Sequence, residues 1–116
     1  MMINAIWCSL SNPTDLIVYH YKWSKHDKTI KFEPNYNENY YCQFCESFCS
    51  LKSKHCRICN RCTSEFDHHC IWINNCVGSK NYKSFILLIF STFLHIVVWI
   101  VGASIVTNQW IKGYQN

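Results

Sequence analysis

The feature that most constrains this chain is a run of cysteine and histidine residues between positions 42 and 76. Cysteine pairs separated by two residues recur there, and histidine–cysteine pairs follow them. The segment contains few aliphatic residues, so hydrophobic burial cannot supply its folding free energy. Nine cysteines in 116 residues therefore indicate either a disulfide scaffold in an oxidising compartment or a metal site in a reducing one.

The cysteine pattern favours metal. The count is odd, the pairs have Cys-x-x-Cys spacing, and the first ten residues do not have the charge and apolar run of a secretory signal. Structural zinc sites take four Cys or His ligands in a tetrahedron, so two closed sites need eight ligands. The segment offers eight with a remainder, and the two predicted structural zinc sites are Cys42, Cys45, His55 and Cys62, and Cys56, Cys59, His69 and Cys76.

Cys70 is left over by this assignment, and its position suggests a reactive thiol. His69 precedes it and Cys76 follows six residues later, so bound metal would hold its backbone and leave the thiol free. A cysteine pKa of about 8.5 leaves the thiol mostly protonated at neutral pH. An imidazole can accept that proton and a carboxylate can orient the imidazole; His68 and Asp67 are the candidates. The other unassigned cysteines are expected to be ordinary free thiols.

Residues 85–106 form an apolar stretch of 22 residues without formal charge. A helix of that length reaches about 33 Å, enough to cross a hydrocarbon core of about 30 Å. A buried soluble helix is the alternative, but the rest of the sequence offers no apolar surface to cover it. Lys80 and Lys83 precede the stretch and Lys112 follows it, so the positive-inside rule places the Cys-rich segment in the cytoplasm. His95, near the middle of the span, predicts a partner helix.

The predicted fold is a small zinc-stabilised Cys-rich domain of short β-hairpins and loops, followed by one transmembrane α-helix. Residues 1–41 are expected to form a polar N-terminal juxtamembrane segment without a core, with a short strand at 16–19. The Cys-rich domain occupies 42–83, the transmembrane helix 85–107, and a short polar tail 108–116.

Three other interpretations compete with this one. An iron–sulfur site would need a fourth cysteine before a proline, which is absent. A nucleic-acid zinc finger needs a helix bearing its second ligand pair and a basic reading face, and neither is evident, so no nucleic-acid partner is expected. A purely structural zinc module explains the ligands but leaves Asp67, His68 and Cys70 without a role.

At these residues the chain resembles the DHHC family of protein S-acyltransferases (palmitoyltransferases). The resemblance covers about residues 42–107. It rests on the ligand spacing, on the signature Asp67-His68-His69-Cys70, and on further matches at Trp72, Asn74, Asn75, Cys76, Val77, Gly78, Asn81 and Phe85.

The resemblance implies an enzyme that uses fatty acyl-CoA as co-substrate. Cys70 would take the acyl group and pass it to a cysteine of a protein substrate, with His68 as base and Asp67 orienting it. The two zinc ions would be structural. Lys52 and Lys54 would keep positive charge near the phosphates of CoA.

The family also implies a larger protein. Its members have at least four membrane helices, with the Cys-rich domain between the second and the third, so this chain is expected to be a fragment or truncated member of a multi-helix protein. ER, Golgi and plasma membrane all suit a cytoplasm-facing site. The alternative is a catalytically inactive zinc-binding membrane module that acts in protein–protein interaction.

Overall fold

The computed structural model describes residues 2–114. Two helices, α1 (Met2–Leu10) and α2 (Leu16–His26), precede three antiparallel hairpins, and the long helix α3 (Tyr82–Tyr114) follows them. The hairpin strands are β1 (Asn39–Cys42) with β2 (Ser47–Ser50), β3 (Lys54–Cys56) with β4 (Arg61–Thr63), and β5 (His68–Cys70) with β6 (Asn75–Val77). The predicted fold class, a Cys-rich hairpin domain followed by one long apolar helix, is confirmed.

The three hairpins repeat one 14-residue unit. In each, a cysteine ends the first strand, and a four-residue turn follows. The fourth turn residue adopts a positive φ, which closes the turn at little steric cost where the residue is asparagine. The strand-ending cysteines are Cys42, Cys56 and Cys70, and the positive-φ residues are Glu46 (48°), Asn60 (49°) and Asn74 (48°).

The strand expected at residues 16–19 is wrong, because these residues begin helix α2. The β-branched run there favours a strand, but Asp15 caps the helix: its Oδ1 accepts a hydrogen bond from the Ile17 N–H at 2.9 Å. The helix packs against β2 and buries Val18. Local capping and tertiary packing together outweigh the strand propensity.

The segment before the hairpins contributes to the core, contrary to the expectation for residues 1–41. The Asp15 carboxylate is buried, and its Oδ2 accepts from the Ser50 N–H at 2.7 Å and the Ser53 hydroxyl at 2.5 Å. The Asp15 N–H donates to the Cys62 carbonyl at 3.0 Å. One carboxylate therefore joins α2 to two of the hairpins.

The end of α1 is fixed to the third hairpin by Asn75, whose side chain is buried. Its Nδ2 donates to the carbonyls of Cys8 and Ser11 at 2.8 Å and of Ser9 at 3.2 Å. Its Oδ1 accepts from the Cys76 N–H at 2.8 Å and from the Arg61 guanidinium. Helix α1 also packs against α3, so both helices meet at the third hairpin.

Helix α3 begins before the predicted span and extends beyond it. Among the described residues it is the helix long and apolar enough to cross a membrane, and none of its residues is buried, unlike a soluble core helix. His95 finds a partner within α3 rather than on a second helix, because the Trp99 Nε1–H donates to His95 Nε2 at 2.8 Å. This i to i+4 contact satisfies one ring nitrogen inside the span.

Candidate metal centres and reactive cysteine

The first group of predicted metal ligands joins hairpins β1–β2 and β3–β4. Cys42 and Cys45 lie at the turn of the first hairpin, whereas His55 and Cys62 are a cross-strand pair of the second. The Cys45 Sγ lies 3.2 Å from His55 Nδ1 and 3.5 Å from Cys62 Sγ. All four donor atoms lie within 4.8 Å of one another.

The second group joins hairpins β3–β4 and β5–β6 in the same way. Cys56 and Cys59 come from the turn of one hairpin, and His69 and Cys76 are the cross-strand pair of the next. The His69 Nδ1 lies 3.3, 3.7 and 3.8 Å from the sulfurs of Cys59, Cys56 and Cys76 respectively. The structure therefore places the eight predicted ligands in two groups with the predicted membership.

Both groups fit a tetrahedral zinc ion. Zinc–sulfur and zinc–nitrogen bonds of about 2.3 and 2.05 Å imply donor atoms about 3.6–3.8 Å apart in a tetrahedron. The sulfur–nitrogen distances in the two groups range from 3.2 Å for Cys45–His55 to 4.0 Å for Cys62–His55. Three cysteines and one histidine are also a common structural zinc set. The chain thus has two Cys/His clusters able to hold zinc.

The thiol environments agree with metal-bound thiolates. Burial opposes ionisation of Cys42, but the backbone N–H groups two and three residues later donate to its sulfur, and its pKa is lowered; the same holds for Cys56. Burial raises the pKa of Cys76 to about 12 and raises that of Cys62 further. Each group therefore combines a stabilised thiolate with a thiol that would ionise only beside a cation.

Strand β5 separates the metal ligand from the reactive residues. Successive side chains alternate between the two faces of a strand, so His69 points to the second metal group while His68 and Cys70 share the other face. The His68 Nδ1 lies 3.3 Å from Asp67 Oδ2, and its ring meets the Phe85 ring edge-on at 5.3 Å. The Nε2 of His68 remains available for proton transfer.

Cys70 lies at the inner end of an apolar groove along α3. Its side chain is buried in a cluster with Cys8, Ile73 and Val77. The groove has a volume of about 560 Å³. It is lined by Cys70, Trp72, Ile73, Phe85, Leu88, Ile89, Thr92, Phe93 and Ile96. Except for Thr92, the α3 residues present hydrocarbon to this space, so the thiol opens onto a surface suited to an alkyl chain.

Sequence reasoning missed the contribution of α1 and α3 to the surroundings of Cys70. Cys8 lies in the same cluster, and burial together with the neighbouring Cys70 raises the pKa of Cys8. Cys49 is fully buried elsewhere, and burial raises its pKa to about 12. The 14-residue spacing of the hairpins could have predicted the position of Cys70, but no sequence signal placed Cys8 beside it.

Lys52 and Lys54 lie on the surface of the Cys-rich domain and do not line the groove. The Lys52 ammonium is 3.9 Å from Glu65, with both side chains largely exposed, so this ion pair is weak. The Lys52 carbonyl accepts from the Phe66 N–H at 3.3 Å. Lys52 therefore flanks the loop that leads to Asp67.

Two Cys/His clusters, a cysteine beside an Asp–His pair, and a membrane-length helix define a class: a metal-binding, cysteine-reactive domain attached to a membrane. The sequence model of the DHHC palmitoyltransferase family matches residues 35–116. The chain therefore belongs to this family, and it is a membrane protein with zinc-binding clusters. Comparison with curated proteins finds no match.

Proposed function

We propose that the chain is the zinc-binding and nucleophile-bearing part of a protein S-acyltransferase that acts through an acyl-Cys70 intermediate. One observation supports this most directly: Cys70 and His68 share the face of β5 that opens onto the apolar groove of α3, while His69 faces the metal group. A thiol between a proton acceptor and an alkyl-binding surface suits attack on a fatty acyl thioester.

In the first half-reaction, His68 accepts the proton of the Cys70 thiol through Nε2, and Asp67 holds the imidazole through Nδ1. The Cys70 sulfur attacks the carbonyl carbon of acyl-CoA. A new carbon–sulfur bond forms to Cys70 and the bond to the CoA sulfur breaks. The proton held by His68 passes to the departing CoA thiolate, so the products are acyl-Cys70 and free CoA.

In the second half-reaction, a cysteine of the protein substrate loses its proton to His68 and attacks the acyl-Cys70 carbonyl. The acyl group moves to the substrate, and Cys70 recovers the proton. The alkyl chain lies along the groove between Trp72 and Ile96 during both steps. Because the groove is apolar, it contributes binding free energy in proportion to the chain area removed from water.

The two zinc ions take no part in these steps. Cys42, Cys45, His55 and Cys62 would hold one ion, and Cys56, Cys59, His69 and Cys76 the other. Each set joins two hairpins that have little apolar core of their own, so bound zinc supplies folding free energy. It thereby fixes β5 and the two reactive side chains on it.

The remaining assignments concern orientation and CoA. Lys80 and Lys83 lie at the start of α3, so the Cys-rich domain 42–83 is placed on the cytoplasmic side, where acyl-CoA and protein substrates are available. Lys52 and Lys54 are exposed and can approach the phosphates of CoA from solution. Their contribution is electrostatic and decreases with salt.

The test is incubation of the full chain in lipid nanodiscs with labelled palmitoyl-CoA. We expect a hydroxylamine-sensitive label in the wild type, none in Cys70→Ala, and an unchanged label in Cys49→Ala, which removes a buried thiol away from the groove. An unchanged label in Cys70→Ala would reject Cys70 as the nucleophile. Two bound zinc ions without any label would favour the inactive zinc-and-membrane module instead.

A further inference from the structure

The turns of the first two hairpins each supply a pair of metal ligands. The first ligand ends a strand, and the second is the third residue of the turn: Cys45 in β1–β2 and Cys59 in β3–β4. In β5–β6 the third turn residue is Ile73, 14 positions after Cys59. The third hairpin thus has the first ligand position, occupied by Cys70, but an isoleucine at the second.

The backbone of the third turn matches the two metal-binding turns. Cys56 pairs with Arg61 across β3–β4, and Cys70 pairs with Asn75 across β5–β6, so the two cysteines have the same register. The turns close with φ values of 49° at Asn60 and 48° at Asn74. Cys70 therefore stands where a metal-binding thiol stands in the preceding hairpin.

We propose that Ile73 is a specificity-determining residue that keeps Cys70 out of metal coordination, and so leaves its thiol free for acyl transfer. This inference rests on the proposed role of Cys70 as nucleophile. In the first two hairpins the side chain at this turn position completes a pair of thiolates. In the third, the isoleucine side chain offers no donor atom and is itself buried.

The other half of a third metal site is also replaced by apolar groups. Each existing site is completed by the cross-strand His–Cys pair of the following hairpin. After β5–β6 the chain enters α3, and Phe85 and Leu88 pack against Ile73 and Val77. Cys70 is thereby turned from a metal ligand into a thiol that faces an apolar groove.

The thiol of Cys8 makes the proposal testable by a single substitution. Cys8, Cys70 and Ile73 belong to one buried cluster, so Ile73→Cys would bring three thiols together. Three thiolates are a common zinc ligand set, with water or a further ligand in the fourth position. The variant should therefore acquire an affinity for zinc that the wild type lacks at this position.

The experiment uses the full chain in nanodiscs with wild type, Ile73→Cys and the matched control Ile73→Val. We measure zinc per chain, and iodoacetamide alkylation of Cys70 with and without added zinc, by peptide mass spectrometry. In Ile73→Cys we expect one additional zinc ion and alkylation of Cys70 slowed about tenfold or more by zinc. Ile73→Val should match the wild type in both measurements. Adding Cys8→Ser to Ile73→Cys should weaken the additional zinc binding.

The proposal is overturned if Ile73→Cys keeps its original zinc ions and zinc does not protect Cys70. Loss of those zinc ions in Ile73→Cys would also overturn it, because the first two hairpins hold cysteine at the same turn position. Protection of Cys70 by zinc in the wild type would make it a ligand and contradict the proposal directly. None of these measurements needs acyl transfer, so failure of the wild type to form an acyl adduct would count against the proposed function separately.

Discussion

Cys56 and Cys70 occupy the same position in consecutive hairpins, yet their sulfurs have different surroundings. Each cysteine ends the first strand of its hairpin. The Cys56 sulfur lies 3.7 Å from His69 Nδ1 within a group of four ligands, whereas Cys70 lies in an apolar cluster beside α3. The difference arises from the next element of the chain, because the hairpin of Cys56 precedes another hairpin and that of Cys70 precedes a membrane-length helix.

Metal content should separate structural from reactive cysteines. Cys56→Ser and His69→Ala each remove one of four ligands, so we expect zinc loss and unfolding of residues 42–80. Cys70→Ser should keep two zinc ions, because its sulfur is not in either group. Elemental analysis and circular dichroism of the purified chains measure both effects. Equal zinc loss in all three variants would contradict the division.

The Asp67–His68 contact should affect acylation without affecting metal content. His68→Ala removes the proton acceptor, and we expect acyl-enzyme formation to slow by about 10²- to 10⁴-fold. Asp67→Asn keeps the ring and removes the charge at 3.3 Å, so a loss of about 10- to 100-fold is expected. Single-turnover labelling measures the rates. Wild-type rates in both variants would exclude these roles.

Gly78 should not tolerate a side chain, because of close packing rather than backbone conformation. A Cβ at Gly78 would lie 2.6 Å from Thr63 Cγ2 and closer still to the Ser64 carbonyl oxygen. We expect Gly78→Ala to destabilise the domain by about 3 kcal/mol. Gly102→Ala is the control, since nothing lies within 4 Å of its Cβ position. Thermal unfolding in detergent compares the two; similar midpoints would refute the packing argument.

Asn75 should determine whether α1 stays docked on the third hairpin. Asn75→Ala leaves buried carbonyls of α1 and the Arg61 guanidinium without this partner, at a cost of about 3 kcal/mol. Asn75→Asp keeps the acceptor but turns the donor into a second acceptor that faces those carbonyls. Hydrogen exchange should therefore accelerate in α1 in both variants, and not in the exposed-loop control Asn37→Ala. Unchanged α1 protection would show that Asn75 is not the clamp.

The membership of the ligand groups could be predicted because zinc has a fixed ligand number and the chain has few candidates. The apolar helix could be predicted because the span length is fixed by the bilayer. The three hairpins agree with the 14-residue spacing of Cys42, Cys56 and Cys70. That period is hard to recognise in the sequence, because the matching series Cys45, Cys59 continues only when Ile73 is accepted in place of a cysteine.

Long-range contacts could not be predicted in the same way. The strand expected at 16–19 overlooked Asp15, whose side chain caps α2 and also binds Ser50 and Ser53. Nothing in the sequence indicates that Cys8 packs beside Cys70, 62 positions away. Likewise, His95 predicts the need for a partner but not that Trp99 of its own helix provides one.

The most direct test of the central claim is to map the acyl adduct and count zinc in the same sample. The full chain is incubated with palmitoyl-CoA, its zinc content is measured, and its cysteine peptides are examined by mass spectrometry. We predict two zinc ions per chain, a palmitoyl thioester on Cys70, and no acyl group on any of the six cysteines in the metal groups. A palmitoyl group on one of those six cysteines, or an unmodified Cys70 in a chain with two zinc ions, would contradict the account.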